Sequence, residues 1–182
     1  MRHQAFLGLA IALFCILLYI TFRFEFTYAF SATVCLAHDV LISLGAIGLL
    51  HYFRVPIQID LTLVAALLTI VGYSLNDTII VFDRIRENLK LHRKESLVAI
   101  VNHSLNETLS RTLMTSLTTL LAILPLVFLG GSTLFGFALV MTIGIVFGTL
   151  SSLYIASPLM LYLNKRRSEK NSSLAKSSSS SG

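Results

Sequence analysis

Asp77 is an acid inside a mostly apolar run, residues 61–82, that is long enough to cross a lipid bilayer. At the centre of a membrane helix such a residue costs about 2.5 to 3.5 kcal/mol, so its presence indicates a functional site by default. The cost falls when the acid is protonated or paired with a cation. A carboxyl group that alternates between these states is suited to carrying a proton. A fixed pair that locks two helices together is the alternative.

Arg111 is the predicted partner of Asp77. It precedes Gly130 by about the 20 residues of one membrane span, which places it at the cytoplasmic edge of that span. Asp77 comes shortly before the edge residue Asp83, about 9 Å inside the membrane at about 1.5 Å per residue. Both side chains are therefore expected in the same half of the bilayer, within reach of each other. The alternative is an arginine that only anchors a helix end at the interface.

Further polar residues near this pair are candidates to support an ion path. Several of them follow Arg111 on or near one helix face, and the others flank Asp77. The predicted supporting set is Asn76, Thr78, Thr115, Ser116 and Thr119. Ordinary packing of serine and threonine between membrane helices is an equally simple interpretation of each residue taken alone.

Asp39 is a second acid within an apolar run, and His38 precedes it. It lies about ten residues from the cytoplasmic end of its span, near the middle of the bilayer and deeper than Asp77. Two interpretations stay open for it. Asp39 belongs either to a relay of acids at different depths or to a structural hydrogen-bond network.

The composition indicates a membrane protein. Of 182 residues, 55% are hydrophobic and only 13% are charged, whereas about 25% of a typical soluble domain is charged. The net charge of +5 does not indicate nucleic-acid binding, because the basic residues lie between and after the apolar runs. Cys15 and Cys35 show no metal-site or disulfide spacing. No nucleophile with a base, nucleotide loop or metal cluster is recognisable, so neither catalysis nor a bound cofactor is expected.

The apolar runs predict five transmembrane helices in an all-α integral membrane fold. Gly130 begins a turn that divides the long uncharged stretch near the C-terminus. The predicted spans are residues 5–22, 28–50, 61–82, 109–129 and 134–163. The excess of Lys and Arg in the 83–108 section and the tail places these on the cytoplasmic side. The N-terminus then lies outside, which suggests that at least one further span precedes this sequence in its parent protein.

Two polar sections complete the predicted domain organisation. In residues 83–108, apolar side chains recur at intervals that suit amphipathic helices lying along the cytoplasmic membrane surface, and a docking surface for a partner is the alternative. Residues 165–182 are rich in Ser and Lys, and we expect this tail to be disordered.

The stretch Gly72–Asn88, GYSLNDTIIVFDRIREN, resembles the signature of the SecF family, the membrane subunits of the bacterial SecD/SecF export complex. The resemblance extends over nearly the whole chain up to the tail. It includes Arg23-Phe24-Glu25, His38-Asp39-Val40, Leu109-Ser110-Arg111-Thr112, Thr115-Ser116-Leu117-Thr118-Thr119, Phe147-Gly148-Thr149 and Ala156-Ser157-Pro158.

This resemblance implies a particular fold and role. SecF proteins belong to the resistance-nodulation-division superfamily, and this chain resembles the last five of their usual six spans, one half of a pseudosymmetric bundle. The implied role is promotion of preprotein export through the SecYEG channel at the expense of a proton or sodium gradient. By the same resemblance, Asp77 and Arg111 match the family's proton-pathway acid and arginine. Asp39 falls in a family motif with a less certain part in that pathway.

The resemblance also implies partners and a location. SecD is the expected partner, together with SecYEG, YajC, the insertase YidC, translocating preproteins and lipids of the bacterial inner membrane, and no nucleic acid. Two other functions remain alternatives. One is an efflux or lipid transporter of the same superfamily, and the other is a structural scaffold, in which neutralising Asp77 or Arg111 would weaken the complex without affecting ion coupling.

Overall fold

The computed structural model describes residues 2–55, 57, 60–92 and 94–166, and within them every regular element is a helix. The helices are α1 (Arg2–Arg23), α2 (Phe26–Tyr52), α3 (Leu61–Leu91), α4 (Leu97–Leu129) and α5 (Gly131–Arg166). A π-helical turn interrupts α5 over Ser152–Ala156. It lies just before Pro158, which has no backbone N–H to donate to the preceding turn. The tail expected to be disordered lies, from residue 167 on, outside the described residues.

Local sequence signals explain where the helices begin and end. The Asp60 side chain accepts a hydrogen bond from the Leu63 backbone N–H and caps α3, and Ser96 caps α4 through the Ala99 N–H. Between α4 and α5 the backbone reverses at Gly131, whose φ of +65° is a conformation that residues with a side chain rarely adopt. The boundaries of these helices therefore coincide with capping residues or with a glycine.

α3 is the central helix and contacts all four others. Its closest approach to α5 occurs at two glycines one turn apart. A Cβ on Gly144 would overlap the Ile70 side chain, and a Cβ on Gly148 would lie 3.3 Å from the Ser74 Cβ. These small residues let the two backbones come together, as is common between membrane helices.

Two apolar clusters fill the interior, one towards each end of the bundle. The first includes Phe24, Tyr28, Phe82 and Met160, with the Tyr28 and Phe82 rings 5.3 Å apart, edge to face. The second gathers around Ile70. Between the clusters, helices α2 to α5 each pass through a polar segment. The buried polar residues of these segments form a polar layer, which includes Asp39, Ser43, Ser74, Asp77, Thr112, Ser116, Thr149 and Ser151.

Within the described residues, four helices, α2 to α5, are long and apolar enough to cross a membrane, and α1 has a shorter apolar part, Ala10–Arg23. Many large apolar side chains on the outside are exposed, as expected for a surface that faces lipid or another membrane protein. The all-helical membrane fold agrees with the sequence prediction.

The 83–108 section, predicted to form amphipathic helices along the membrane surface, is helical on both sides of a short turn. α3 continues without interruption to Leu91 and α4 begins at Leu97, so the section forms the extended ends of two antiparallel helices. The physical reason is burial, because Ile85 and Val101 belong to the apolar cluster at this end. Some of the apolar residues of this section therefore pack inside the helix pair, and its position at the membrane surface stays a prediction.

Candidate functional site

Asp77 lies in the polar layer and is only 1% exposed, so the bundle rather than lipid surrounds it. Its Oδ2 atom is buried without a hydrogen-bond partner among the described residues. A buried polar atom is normally satisfied, and an ionised one without a partner is strongly unfavourable. This carboxyl group is therefore set up to bind a proton or another cation.

Arg111 lies on α4 close enough for its charge to act on the Asp77 carboxyl group. The structure does not show the predicted direct pairing, because no ion-pair contact between these two is found among the described residues. The Arg111 side chain instead lines an open cleft of about 410 Å³. The other lining residues are Ile80, Asp83, Arg84, Glu87, Glu107 and Thr108. Arg111 thus lines a cleft that Asp77 does not line, although its charge acts on Asp77 from the neighbouring helix.

Asp39, also 1% exposed, is held by neighbours on two helices. Ser74 Oγ of α3 donates a hydrogen bond to its Oδ2, and His38 Nδ1 lies 3.1 Å from its Oδ1. Gly148 of α5 packs beside them, since a Cβ there would lie 3.8 Å from Asp39 Oδ2. Asp39 therefore joins α2, α3 and α5, and in this structure it acts as a hydrogen-bond acceptor.

A chain of four hydroxyl groups connects α3, α4 and α5 at the level of Tyr73, one helical turn before Asp77 on α3. Thr119 Oγ1 lies 3.5 Å from the Tyr73 hydroxyl, which lies 3.4 Å from Ser116 Oγ. Ser116 Oγ in turn lies 2.6 Å from Thr149 Oγ1 of α5. Two of the predicted supporting residues, Ser116 and Thr119, thus meet at an interface between helices.

The other predicted supporting residues lie elsewhere. Thr78 is buried and donates to the Ser74 carbonyl, on the side of α3 that faces α2. Asn76 is exposed, and Thr115 is exposed with its hydroxyl bonded to carbonyls of its own helix. Within this chain, Asn76 and Thr115 therefore do not join the interior network.

Sequence reasoning missed several members of the polar layer: Tyr73, Ser74, Thr112, Thr149 and Ser151. The spacing contained a usable signal, since Tyr73 lies one turn before Asp77 on α3, and Thr112 lies one turn before Ser116 on α4. Ser151 receives a weak hydrogen bond from Cys35, with Sγ and Oγ 3.4 Å apart. Which hydroxyls meet depends on the relative register of the helices, which a single sequence does not display.

The ends of α3 and α4 that flank the turn between them are joined by ion pairs. Arg84 donates two hydrogen bonds to Glu107, 2.7 and 2.8 Å long, and Asn88 donates a third, 2.7 Å long. The hydrogen bond from Arg84, followed by that from Asn88, lowers the pKa of Glu107 to about 2. Arg23 pairs with Asp83 at 2.9 Å and ties α1 to α3. These charged and polar side chains therefore already have hydrogen-bond or ion-pair partners within the chain.

Comparison with known proteins agrees with this geometry. Residues 1–166 match the family described as "Protein export membrane protein SecD/SecF, C-terminal". The chain is 48% identical over 164 residues to the protein translocase subunit SecF of Pseudomonas aeruginosa, covering 90% of this chain and 52% of that protein. It is 50% identical over 161 residues to the SecF subunit of Escherichia coli O157:H7, covering 88% of this chain and 48% of that protein. The chain thus spans about half the length of these relatives.

Two further matches concern SecDF proteins. The chain is 48% identical over 175 residues to the protein translocase subunit SecDF of Thermus thermophilus, covering 96% of this chain and 23% of that protein. A crystal structure of SecDF in the super-membrane-facing form superposes with a TM-score of 0.81 at 50% identity, covering 88% of this chain and 21% of that chain. This superposition confirms the predicted fold class, a helical membrane bundle of the SecDF type.

Proposed function

The chain belongs to the SecD/SecF family of protein-export membrane proteins, and we propose that it is the ion-coupling part of a SecF-type translocase subunit. In this role it uses a proton or sodium gradient to promote preprotein export through the SecYEG channel. The single observation that carries the proposal is the Asp77 carboxyl group, buried in a polar layer with one oxygen unpartnered and a guanidinium nearby. Intramembrane acids of this kind are typical of ion-driven transport.

We propose SecD as the partner that supplies the other half of the bundle. The Thermus thermophilus relative is named SecDF, and this chain accounts for only 23% of its length. The exposed apolar side chains of α4, among them Leu113, Leu117 and Leu121, provide a surface for such a partner or for lipid. SecYEG, YajC and YidC are proposed as further members of the assembly, which is proposed to lie in the bacterial inner membrane.

The proposed mechanism is a change of charge at Asp77. When Asp77 is ionised, its attraction for Arg111 favours an approach of the two side chains across the α3–α4 interface. Protonation removes that attraction and leaves Arg111 with the acidic residues of the cytoplasmic cleft, such as Glu107. The packing of α3 against α4 then differs between the two charge states. A cycle of protonation would thereby move helices that connect to the remainder of the full-length protein.

The test is the Asp77→Asn variant of the full-length protein, assembled with its SecD partner. Asparagine keeps the size of the side chain but stays neutral, so we expect gradient-dependent export to be lost while the complex still assembles. Export into membrane vesicles, measured with and without an imposed gradient, gives the first quantity, and copurification of SecD gives the second. Glu95→Gln, an exposed acid at the turn between α3 and α4, is the matched control and should retain coupling.

Two results would contradict the proposal in different ways. Gradient-dependent export at the wild-type level by Asp77→Asn would exclude Asp77 as the coupling group. Loss of SecD from the purified complex, with coupling intact in the molecules that still assemble, would indicate instead that the acid has the structural role of a scaffold.

A further inference from the structure

The first turns of α4 and the last turns of α5 leave an open groove on the outside of the bundle. It contains two cavities of about 510 and 430 Å³, and both are lined by residues of α4 and α5 only. Each volume lies within the range of about 300–1,000 Å³ that is usual for sites that bind small molecules. The groove lies apart from the polar layer that contains Asp77.

The two cavities are successive parts of one groove, because their lining residues recur on one face of each helix at intervals of three or four. On α4 these residues are Val98, Asn102, Leu105 and Leu109. On α5 they are Tyr154, Pro158, Tyr162 and Lys165. From Val98 to Leu109 the groove extends about 16 Å, at about 1.5 Å per residue.

The outer end of the groove is basic. Lys165 lines this end and is the first charged residue of α5, since residues 131–164 contain none. The guanidinium carbon of Arg166 lies 4.9 Å from the centre of the Tyr162 ring, so a second cation stands beside the same end. No acidic residue of the described chain lines either cavity. This end therefore attracts a negatively charged group.

The inner end of the groove is apolar. Leu105 and Leu109 line it on α4, and the π-helical turn of α5 contributes Leu153 and Tyr154. The exposed amides of Asn102 and Asn106 lie on the α4 side of the same cavity. The groove thus has a basic end, an uncharged polar part and an apolar end.

Two tyrosines along the groove are exposed, Tyr154 by 73% and Tyr162 by 52%. Tyrosine is enriched where membrane proteins pass the lipid headgroups. The predicted fifth span ends at residue 163, which places Lys165 just outside the hydrocarbon on the cytoplasmic side. The order of basic, polar and apolar parts therefore matches the order of phosphate, ester groups and acyl chains in a phospholipid.

We propose that the α4–α5 groove binds an anionic phospholipid of the membrane. The lipid phosphate lies at Lys165 and Arg166, and an acyl chain lies along Leu105 and Leu109. Basic pockets between membrane helices on the cytoplasmic side are suited to such headgroups. The inference goes beyond the proposed function and does not depend on the role of Asp77. A bound lipid would join the ends of α4 and α5 through a molecule that the membrane itself supplies.

The test is Lys165→Gln in the full-length protein assembled with SecD. The purified complex is mixed with equal amounts of phosphatidylglycerol and phosphatidylcholine, and native mass spectrometry measures how much of each lipid stays bound. We expect the wild type to retain phosphatidylglycerol in preference. In Lys165→Gln its affinity should fall about fivefold, which corresponds to about 1 kcal/mol for one basic residue at an anionic surface.

Lys90→Gln is the matched control for charge. Lys90 is an exposed lysine near the end of α3 and does not line the groove, so this variant removes the same charge from the same predicted side of the membrane. We expect it to retain phosphatidylglycerol as the wild type does. An equal loss in Lys90→Gln and Lys165→Gln would overturn the proposal, because it would show attraction to a basic surface without a specific site.

A second variant, Asn106→Trp, tests the apolar part of the groove. Asn106 is exposed, so the indole group can occupy the cavity without disturbing the interior. We expect loss of bound phosphatidylglycerol with normal copurification of SecD. Ser110→Trp, at an exposed position of α4 that does not line the cavity, is its control and should retain the lipid.

Two further outcomes would overturn the proposal and leave the proposed function intact. One is wild-type retention of phosphatidylglycerol in both Lys165→Gln and Asn106→Trp. The other is a preference for phosphatidylglycerol that depends on the groove only after SecD has been removed, which would identify the groove as a surface for a partner helix. Gradient-dependent export in Asp77→Asn is a separate measurement, so the two hypotheses succeed or fail independently.

Discussion

Asp39 and Asp77 are two buried acids with different surroundings. Ser74 donates to one oxygen of Asp39, and His38 lies at the other. Asp77 has no comparable donor at Oδ2 within the described part of the chain. The Asp39 carboxyl group is therefore held by neighbours on α2 and α3, whereas one oxygen of Asp77 is held by none of the described residues. We therefore propose the ion-coupling role for Asp77 and a primarily structural role for Asp39.

Ser74→Ala tests the structural role of Asp39. The change removes the donor to Asp39 Oδ2 and leaves a buried carboxyl oxygen unsatisfied, so we expect a loss of about 1–3 kcal/mol in the free energy of unfolding. Denaturant unfolding of the full-length protein in detergent measures this loss. Ser110→Ala, at an exposed position of α4, is the control. Equal stability of the two variants would show that the Ser74 hydrogen bond does not stabilise the fold.

At the scale of the elements, the contact between α3 and α5 depends on a glycine. A Cβ on Gly144 would overlap Ile70, which is only 1% exposed and has a stiff β-branched side chain. The polar layer lies directly beyond this contact, at Ser74 and Gly148. The spacing of these two helices therefore determines how closely the hydroxyl groups of the layer meet.

Gly144→Ala should destabilise the protein by about 1–3 kcal/mol, because the added methyl group forces Ile70 or a helix to move. Gly72→Ala, where a Cβ would meet no atom within 4 Å, is the control and should be neutral in comparison. Thermal unfolding of the full-length variants gives the difference. Combining Gly144→Ala with Ile70→Ala should cost less than the sum of the two single changes. Strict additivity would contradict the proposed overlap.

The ends of α3 and α4 pack side by side, and the periodicity of apolar residues alone did not identify this pairing. An apolar stripe on a helix fits either a membrane surface or another helix equally well. Within this chain, Asn88 and Ser104 join the two helices side by side through a buried hydrogen bond 3.0 Å long. A buried polar pair of this kind is visible only once both helices are placed.

At the scale of the whole molecule, the sequence was sufficient to predict the helical membrane fold and the buried acids. An acid within an apolar run has few other possible locations, so Asp39 and Asp77 could be identified without coordinates. The direction of the Arg111 side chain could not, because a long flexible side chain at a helix end has several accessible positions. The contacts of the Tyr73 hydroxyl with Ser116 and Thr119 could not be predicted either, because they depend on the register of α3 against α4.

The arrangement of the whole chain connects these observations. Helices α2 to α5 all carry polar residues between two apolar clusters, so a change of charge in the layer acts where four helices meet. Apolar clusters are closely packed and resist gradual deformation, so they transmit a displacement between their two ends. The central claim is therefore that Asp77 changes its protonation state and that α3 and α4 shift in response.

Difference infrared spectroscopy of the full-length SecD/SecF complex in membrane vesicles tests this claim most directly. Applying a proton gradient should change the absorption band of one protonated carboxyl group, and Asp77→Asn should remove that change while Glu95→Gln preserves it. A gradient-induced carboxyl signal that persists unchanged in Asp77→Asn, or the absence of any such signal in an actively exporting wild-type complex, would contradict the account.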